Sequence, residues 1–287
     1  MSNSVNEGLD EVGVWSELKI EIIRKYAKAY TTILTNSSRY PLIPIYVDGF
    51  AGVGRHKSKS TGEIISGSPL EAFAVEPPFQ RFHLIDLNEQ RVASLEKIAE
   101  GRSDTTVWHG DCNVILLDKV FPQILSSSAN RALCILDPYG VHLDWKVLQA
   151  AGQSEHIEIF LNFATGDMQR NVFRKDQSKV SVRSLGRMNR FWGDESWKSL
   201  IYTTQAGLFC DMEEKDLESI TNLLTAFKSR LKEVAGFGFV PEPVPMKNSK
   251  GTVIYHLFYA SPKTKGGQIG EKIVREILDK YRKEGQI

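Results

Sequence analysis

Short apolar runs alternate with segments of helical periodicity between residues 43 and 163, and this alternation most constrains the fold. The runs are IPIYVDGF, RFHLIDLNEQ, TTVWHGD, RALCILDPYG and HIEIFLNFATG. They are short and rich in β-forming residues, as strands buried in a sheet are. Strands separated by helices at this spacing form βαβ units, with right-handed crossovers that place helices on both faces. The sequence therefore predicts a doubly wound, Rossmann-like α/β sheet that is mostly parallel.

The first of these strands runs into the stretch YVDGFAGVGRH. Asp48 is followed within six residues by three glycines and an alanine. Glycine is unfavourable for folding entropy and is useful where φ is positive or where another group approaches the main chain. Two interpretations are open, a site for a nucleotide-type ligand and an ordinary tight turn between a strand and a helix.

Three acids, Asp86, Asp111 and Asp137, lie at or just after the carboxyl ends of later strands. In a doubly wound sheet these ends meet at the edge where ligands bind. Each acid alone is as well explained as a helix N-cap or a turn residue. Together they predict a polar site, with Asp86 placed to accept hydrogen bonds from ribose. The glycine spacing departs from GxGxxG and Asp86 lies too far downstream, so a nicotinamide cofactor is disfavoured.

These motifs resemble those of class I S-adenosylmethionine-dependent methyltransferases, whose first motif reads D-x-G-x-G-x-G. Here Phe50 replaces the first glycine, which is similar to the D-x-F-A-G-x-G variant of DNA methyltransferases. The resemblance implies a seven-stranded sheet in which the late HLFYAS strand is antiparallel. It also implies that Asp86 holds the ribose and Asp111 the adenine amino group. The residues that would bind S-adenosylmethionine are Asp48, Phe50, Ala51, Gly52, Gly54, Asp86 and Asp111.

The sequence LDPYG at 136 to 140 resembles the (D/N)PP(Y/F) motif of enzymes that methylate exocyclic amino groups. In that motif the acid and a backbone carbonyl accept hydrogen bonds from the amine, and the aromatic residue stacks on the base. The second proline is missing here, so Tyr139 stands one place early. The resemblance implies that Asp137, Pro138 and Tyr139 are the catalytic residues and that the acceptor is an amino group.

A resemblance over nearly the whole chain is to the three-Cys-motif partner family, often called TcmP. It is carried by WSELKIEIIRKYAKAY, YVDGFAGVGR, GSPLEA, FHLIDLN, LDPYG with Trp145, IFLNF followed by Arg170, and HLFYAS. Members occur beside a protein with a three-cysteine motif that resembles radical S-adenosylmethionine enzymes. The resemblance implies such a partner, and it leaves open whether this chain is a methyltransferase or a non-catalytic cofactor-binding module.

The segment from 167 to 198 is rich in Lys, Arg and large aromatic residues. We predict that it contacts substrate, with arginines on phosphates and an aromatic ring on a base, through Arg170, Arg174, Arg187 and Trp192. Nucleic acid is then a candidate partner, alongside peptide or small-molecule acceptors. The alternative is a solvated helical insertion whose aromatic residues pack on the domain. The net charge of +1 means that any basic surface is local.

The pattern changes along the chain divide it into four segments. Residues 1–44 form an N-terminal helical segment, in which Lys19 falls between the periodic apolar positions, and residues 45–166 form the cofactor-binding half of the α/β domain. Residues 167–212 form the insertion, which we interpret as a substrate cover. Residues 213–287 add a helix, a strand pair and a final helix to the same domain.

Composition excludes several classes of protein. Three widely separated cysteines without a CxxC pair argue against a disulfide framework or a cysteine zinc site, and we expect no metal. No run of about 18 apolar residues is present, and the N-terminus lacks a basic region followed by an apolar one. We therefore expect a cytoplasmic protein that does not bind membranes.

Overall fold

The computed structural model of the chain describes residues 11–36, 41–59, 61–174, 179–202 and 212–287. The strands are β1 (Glu11–Val12), β2 (Ile43–Asp48), β3 (Arg55–Ser58), β4 (Ile64–Ser66), β5 (Arg81–Asp86), β6 (Thr105–His109), β7 (Asn130–Leu136), β8 (Ile157–Phe163), β9 (Val244–Lys247) and β10 (Val253–Ala260). The helices are α1 (Val14–Thr35), α2 (Ser68–Phe73), α3 (Glu89–Ile98), α4 (Cys112–Ile115), α5 (Phe121–Leu125), α6 (Trp145–Gln153), α7 (Thr165–Asn171), α8 (Val182–Trp192), α9 (Trp197–Tyr202), α10 (Met212–Glu233) and α11 (Lys265–Lys283), with a π-helical turn at Leu116–Val120.

Seven strands form the central sheet in the order β6-β5-β2-β7-β8-β10-β9. Strands β6, β5, β2, β7 and β8 are parallel, and β10 is antiparallel to both β8 and β9. The predicted Rossmann-like sheet with one antiparallel strand, formed by the HLFYAS segment, is confirmed. The chain crosses from β2 outward to β6 and then returns to β7, so the strand order reverses between β2 and β7. Ligands bind doubly wound sheets at such a switch point.

Both faces of the sheet are buried, as the continuous apolar strands predict. Along β7, Ala132 and Cys134 face one hydrophobic cluster, which includes residues of α5, α6, α8 and α10. Leu133 and Ile135, which alternate with them, face the other cluster, which includes residues of α1, α2, α3 and α11. Cys112 and Cys134 are buried free thiols, whereas Cys210 lies outside the described residues.

A second, three-stranded sheet forms where the sequence reads as a polar loop. Strands β3 and β4 pair as an antiparallel hairpin, and β1 pairs with β3 in parallel. These strands are short, and several of their residues are exposed, so they carry almost none of the apolar alternation that identifies a strand. The Ser58 hydroxyl donates to Glu17 Oε1 at 2.7 Å, which ties the hairpin to α1.

The described part of the insertion, residues 167–174 and 179–202, is helical and packs on the domain. Phe191 and Trp192 are buried at the end of α8, with ring centroids 5.5 and 5.6 Å from that of Phe227 on α10. The indole nitrogen of Trp192 donates to Ser196 Oγ at 2.8 Å. Trp192 is 1% exposed, and the guanidinium of Arg230 lies 5.3 Å from its ring centroid, which leaves little of the ring accessible. A contact between Trp192 and substrate stays a prediction. The proposed segment boundaries stay predictions.

Within the described ranges, no helix combines the length and the apolar character that a membrane span requires.

Candidate active site at the carboxyl edge of the sheet

The glycine turn after β2 is held against both neighbouring strands at the switch point. The amide of Gly49 donates to the carbonyl of Ile135 on β7, and the amide of Ala51 donates to that of Ile85 on β5, both at 2.9 Å. Gly52 has a φ of +65° and Gly54 a φ of +74°, in the left-handed region that favours glycine. The turn thus carries the backbone across the carboxyl edge of the sheet.

The two left-handed glycines are required for different reasons. A Cβ atom at Gly54 would lie 2.5 Å from Ile98 Cδ1, so this glycine lets the turn pack on α3. A Cβ atom at Gly52 would meet no described atom within 4 Å. Gly54 therefore serves a tight turn, and Gly52 leaves the backbone open to a ligand.

Gly52 lines a cleft of about 500 Å³, which we call the carboxyl-edge cleft. This volume lies within the range of about 300–1,000 Å³ that small-molecule sites occupy. Helix α1 and strand β10 contribute one wall, the turns after β2, β7 and β8 contribute much of the rest, and further residues come from α2, α3 and α7. The lining residues used below are Trp15, Lys19, Ile20, Ile23, Phe50, Ala51, Gly52, Ser68, Arg91, Asp137, Pro138, Tyr139, Asn162, Arg170 and Tyr255.

Asp137 lies at the centre of a hydrogen-bonded group in this cleft. Lys19, from α1, forms an ion pair with Asp137 Oδ2. Asn162, the penultimate residue of β8, donates from Nδ2 to Asp137 Oδ1 at 2.6 Å. The Asp137 side chain is 35% exposed, whereas that of Lys19 is 11% exposed. Both side chains line the cleft, and the acid is the more exposed partner of the pair.

The charge on Lys19 depends on its partner. Burial lowers the pKa of Lys19, but attraction to Asp137, with smaller contributions from Tyr255 and Asp48, outweighs burial and raises the pKa above its usual value. The ammonium group also lies 5.6 Å from the ring centroid of Tyr255. Lys19 is thus held as a cation and cannot serve as a base at neutral pH.

A second feature of this group is an unused acceptor. Asn162 Oδ1 is buried and has no hydrogen-bond partner among the described residues. Buried polar atoms are normally satisfied, so an exception requires an explanation. An N–H or O–H donor on a molecule in the cleft would satisfy this oxygen beside the Asp137 carboxylate.

Pro138, Tyr139 and Gly140 continue from Asp137 along the cleft. Tyr139 is 63% exposed, and its hydroxyl accepts a hydrogen bond of 3.0 Å from Arg91, whose guanidinium lies 5.4 Å from the ring centroid. Gly140 has a φ of +60°, and a Cβ atom there would lie 2.4 Å from Asp167 Oδ2. This glycine lets the loop turn sharply after Tyr139, which leaves the ring at the mouth of the cleft.

Asp48 lies beneath the glycine turn. It is 1% exposed and accepts hydrogen bonds from Ser68 Oγ at 2.5 Å, the Tyr46 hydroxyl at 3.2 Å and the Phe50 amide at 3.2 Å. Burial raises the pKa of Asp48 to about 6, against the hydrogen bonds from Ser68 and Phe50. Through these hydrogen bonds Asp48 stabilises the conformation of the glycine turn and connects it to the start of α2.

Asp86 and Asp111 are engaged with backbone amides. Asp86 Oδ2 accepts from Gly52 at 3.0 Å and Oδ1 from Asn88 at 2.8 Å, so this acid fixes the open glycine. Asp111 caps α4 by accepting from the Asn113 amide at 2.8 Å. Neither Asp86 nor Asp111 is among the described residues that line the carboxyl-edge cleft. Their roles with ribose and adenine stay predictions.

The three predicted arginines differ in position. Arg170, on α7, lines the cleft, whereas Arg174 is exposed beyond it and donates from Nε to the carbonyl of Arg170 at 3.1 Å. Arg187 lies on α8 beside the loop that follows Asp137. Burial lowers the pKa of His142 in that loop, and Arg187, followed by Arg183 and Arg190, lowers it further despite Asp167. One edge of α8 is thus a cationic border beside the cleft.

Sequence reasoning missed Lys19 and Asn162. Asn162 had a usable signal, since it is a polar residue near the carboxyl end of the apolar strand HIEIFLNF. Lys19 had none, because its helical position is typical of a solvated face. It is buried because α1 packs on one face of the sheet and its first turns reach the carboxyl edge.

No protein-family model matches the chain, and no curated protein matches it. Among solved structures it is similar to a Legionella pneumophila protein of the family DUF519, with 12% identity over 91% of this chain and 92% of that one and a TM-score of 0.43. It is similar to the N-methyltransferase NodS of Bradyrhizobium japonicum, with 12% identity over 85% and 98% and a TM-score of 0.34. The plantazolicin methyltransferase BpumL, solved with S-adenosylhomocysteine, gives 12% identity over 87% and 88% and a TM-score of 0.33.

These TM-scores are low, so the fold is assigned from the strand order of the chain itself. A seven-stranded sheet with β10 reversed is that of the Rossmann-like methyltransferase fold. Membership in the three-Cys-motif partner family stays a prediction.

Proposed function

We propose that this protein is an S-adenosylmethionine-dependent methyltransferase. The observation that carries the proposal is that the open, left-handed turn at Gly52 and the acid-bearing loop at Asp137 line one cleft at the switch point of the sheet. The residues present fit the cofactor. The turn has room where a Cβ atom would stand at Gly52, and the cleft is large enough for a small molecule. Phe50, Ala51 and Gly52 would hold the cofactor, beside the Ser68 hydroxyl.

When bound, S-adenosylmethionine supplies an activated methyl group. The chain then has to orient the acceptor and exclude water, and a base is needed only if the acceptor carries a proton to lose. Asp137 and Asn162 Oδ1 are acceptors for the N–H groups of an amine. Trp15, Ile20 and Ile23 on α1 line the cleft with apolar surface, which would limit the access of water to a bound acceptor.

We propose an amino group on a nucleic-acid base as the acceptor. Three features support it: the paired acceptors at Asp137 and Asn162, the exposed ring of Tyr139 at the mouth, and the cationic edge of α8 beside the loop. Exposed aromatic rings stack on bases, and arginines bind the phosphate backbone. Arg170 would bind the phosphate closest to the cleft.

Methyl transfer from radiolabelled S-adenosylmethionine tests the enzyme activity. Single-stranded RNA and DNA, duplexes and peptides are offered to the wild type, to Asp137→Asn and to Asp118→Asn, an exposed control with the same loss of charge. We expect transfer to a nucleic acid, lost in Asp137→Asn and kept in Asp118→Asn. Equal single-turnover rates in the wild type and Asp137→Asn would remove Asp137 from the chemistry.

Salt dependence tests the nucleic-acid part separately. Phosphate contacts release counterions, so the logarithm of the binding constant should fall steeply with the logarithm of salt concentration. We expect Arg187→Gln to lower this slope by about one unit, and Arg275→Gln on α11 to leave it unchanged. A flat salt response in the wild type would favour a peptide or small-molecule acceptor.

A second candidate function is a non-catalytic cofactor-binding module that serves a three-cysteine-motif protein. One observation favours it, since the Asp137 carboxylate is already engaged by Lys19 and Asn162. This candidate predicts a stable complex with the three-cysteine protein and no labelled methyl transfer to any acceptor. Transfer in the absence of that protein would exclude it.

A further inference from the structure

A second cavity lies at the opposite, amino edge of the sheet. It has a volume of about 280 Å³ and shares no lining residue with the carboxyl-edge cleft. We call it the amino-edge cavity. Its walls come from the later turns of α1, the starts of β7 and β8, and the first turns of α11. The lining residues used below are Tyr26, Tyr30, Ile33, Leu34, Arg131, Glu155, Glu158, Gly266, Gly270 and Ile273.

The floor of the amino-edge cavity is a buried acid. Glu158, on β8, is 7% exposed. Its Oε2 accepts hydrogen bonds from the hydroxyls of Tyr26 and of Tyr259, the latter at 2.8 Å. Gly270 on α11 leaves room for this group, because a Cβ atom there would lie 2.3 Å from the Tyr259 hydroxyl oxygen and 2.4 Å from that of Tyr26.

Glu158 has no cationic partner within the described part of the chain. The nearby Arg131 instead directs Nη1 to the carbonyls of Ser128 and Asn130, at 2.8 and 2.7 Å. A buried carboxylate without an ion pair is costly. Consistent with this, burial raises the pKa of Glu158 to about 7, against hydrogen bonds from the two tyrosines and attraction to Arg131.

Two further features of the amino-edge cavity are unusual for a packed protein interior. The Tyr30 hydroxyl is buried and has no hydrogen-bond partner among the described residues, although Tyr30 itself is 6% exposed and lines the cavity. Glu155, at the mouth, has a φ of +56° and is the one non-glycine residue with positive φ in the described ranges. Such strain is concentrated at ligand sites.

We propose that the amino-edge cavity is a binding site for a small organic amine whose ammonium group pairs with Glu158. The rings of Tyr26 and Tyr30 supply faces that attract a cation, and Ile33, Leu34 and Ile273 supply an apolar wall for a short hydrocarbon body. The volume, at the low end for ligand sites, suits an amine with one small ring. This site is independent of the cleft at Gly52, so the proposal does not rest on methyltransferase activity.

Calorimetric titration with phenethylamine, benzylamine and butylamine tests the proposal, with 2-phenylethanol as the uncharged comparison. The titrations are run at about pH 8.5, above the pKa of Glu158 and below that of an alkylamine, about 10.4. We expect at least one amine to bind and 2-phenylethanol to bind at least tenfold more weakly, because only the amine carries the charge that pairs with the Glu158 carboxylate.

Two variants locate the bound amine. Glu158→Gln removes the charge at the floor, and Glu96→Gln makes the same change at an exposed position of α3, outside the cavity. We expect Glu158→Gln to weaken amine binding at least tenfold and Glu96→Gln to leave it unchanged. Ile33→Trp, a substitution at a partly exposed wall residue, should block binding without altering the floor.

Circular dichroism and thermal unfolding serve as folding checks for each variant. Absence of binding by all three amines to the folded wild type would overturn the proposal. Equal amine affinities in the wild type and Glu158→Gln would overturn it as well, since the charge pair would then have no role.

Discussion

The two edges of the sheet each contain a carboxyl group that α1 contacts, but they balance its charge differently. At the carboxyl edge Lys19 forms an ion pair with Asp137, and at the amino edge Tyr26 donates a hydrogen bond to Glu158. Lys19 and Tyr26 are two turns apart on one face of the same helix. Asp137 thus has an ion-pair partner and an opening to a cleft, whereas Glu158 has hydroxyl donors and no ion-pair partner among the described residues.

This difference shows what each carboxyl group is suited for. An acid that forms an ion pair and lines a cleft can orient a donor on a bound molecule, as positioning of an acceptor requires. An acid held by hydroxyls alone takes up a proton near neutral pH, unless a cationic ligand replaces the missing partner. Removing the charge at each edge therefore has different consequences.

The largest expected effect is a pH-dependent gain of stability in Glu158→Gln. The pKa of Glu158 is raised from 4.5 to about 7 by burial, so the folded protein binds an extra proton between these values. The associated stability is present below about pH 4.5 and is lost as pH rises through about 7. The variant, relative to the wild type, should therefore gain about 3 kcal/mol between pH 4.5 and 8.

Urea unfolding of both proteins across this pH range checks the gain. Other titrating groups, such as Asp48 and the buried His83 and His256, cancel in the difference because both proteins contain them. A constant difference at all pH values would show that Glu158 ionises normally in the folded state.

At the carboxyl edge, removing the charge of the acid should destabilise the protein more than removing its cationic partner, because the cation is the more buried of the two. Asp137→Asn leaves the Lys19 ammonium unpaired and should destabilise the protein by about 2 kcal/mol, less than for a fully buried pair because water reaches Asp137. Lys19→Met leaves an acid that water can solvate and should be milder. Urea midpoints of both variants and of the double variant measure this asymmetry. A milder effect of Asp137→Asn than of Lys19→Met would contradict it.

A smaller effect is expected from Gly270→Ala at the amino edge. The added Cβ atom would lie 2.3 Å from the Tyr259 hydroxyl oxygen, so the group around Glu158 must shift, at about 1.5 kcal/mol. Gly266→Ala is the matched control, since its Cβ atom would lie 3.7 Å from Thr264 Oγ1, an ordinary contact. Thermal unfolding should show loss for Gly270→Ala alone. Similar melting temperatures would mean that Tyr26 and Tyr259 can shift with no loss of stability.

The smallest effect concerns the stability of the glycine turn. Gly52→Ala introduces a side chain at positive φ into open space and should cost about 1 kcal/mol. Gly62→Ala, at a φ of +73° and with the same open space, should cost the same. Chemical denaturation compares them. A much larger loss at Gly52 would show that Gly52 also supports the fold.

The sequence was sufficient for the features that depend on local pattern. The alternation of apolar runs with helices predicted the parallel sheet, and the carboxyl ends of those runs located Asp86 and Asp137 at one edge. Gly52 and Gly54 were recognised together because a strand that ends in glycines is a local signal. Their separate reasons, an open site and a close approach to Ile98, depend on the packed structure.

The remainder depends on contacts between distant segments. Lys19 meets Asp137 across 118 residues, and Tyr26 and Glu158 meet across 132. The burial of Trp192 could not be read from composition, because composition does not show which side of a helix faces inward. On α8 the positions of Met188, Phe191 and Trp192 already separate from those of Arg183, Arg187 and Arg190. That periodicity could have placed Trp192 in the core.

Calorimetric titration with S-adenosylmethionine tests the central claim most directly. Gly52→Val and Gly62→Val place the same side chain at similar left-handed φ values, +65° and +73°, and only Gly52 belongs to the described walls of the cleft. The account predicts equal affinities for the wild type and Gly62→Val, and at least tenfold weaker binding by Gly52→Val. Absence of binding by the wild type, or undiminished binding by Gly52→Val, would contradict it.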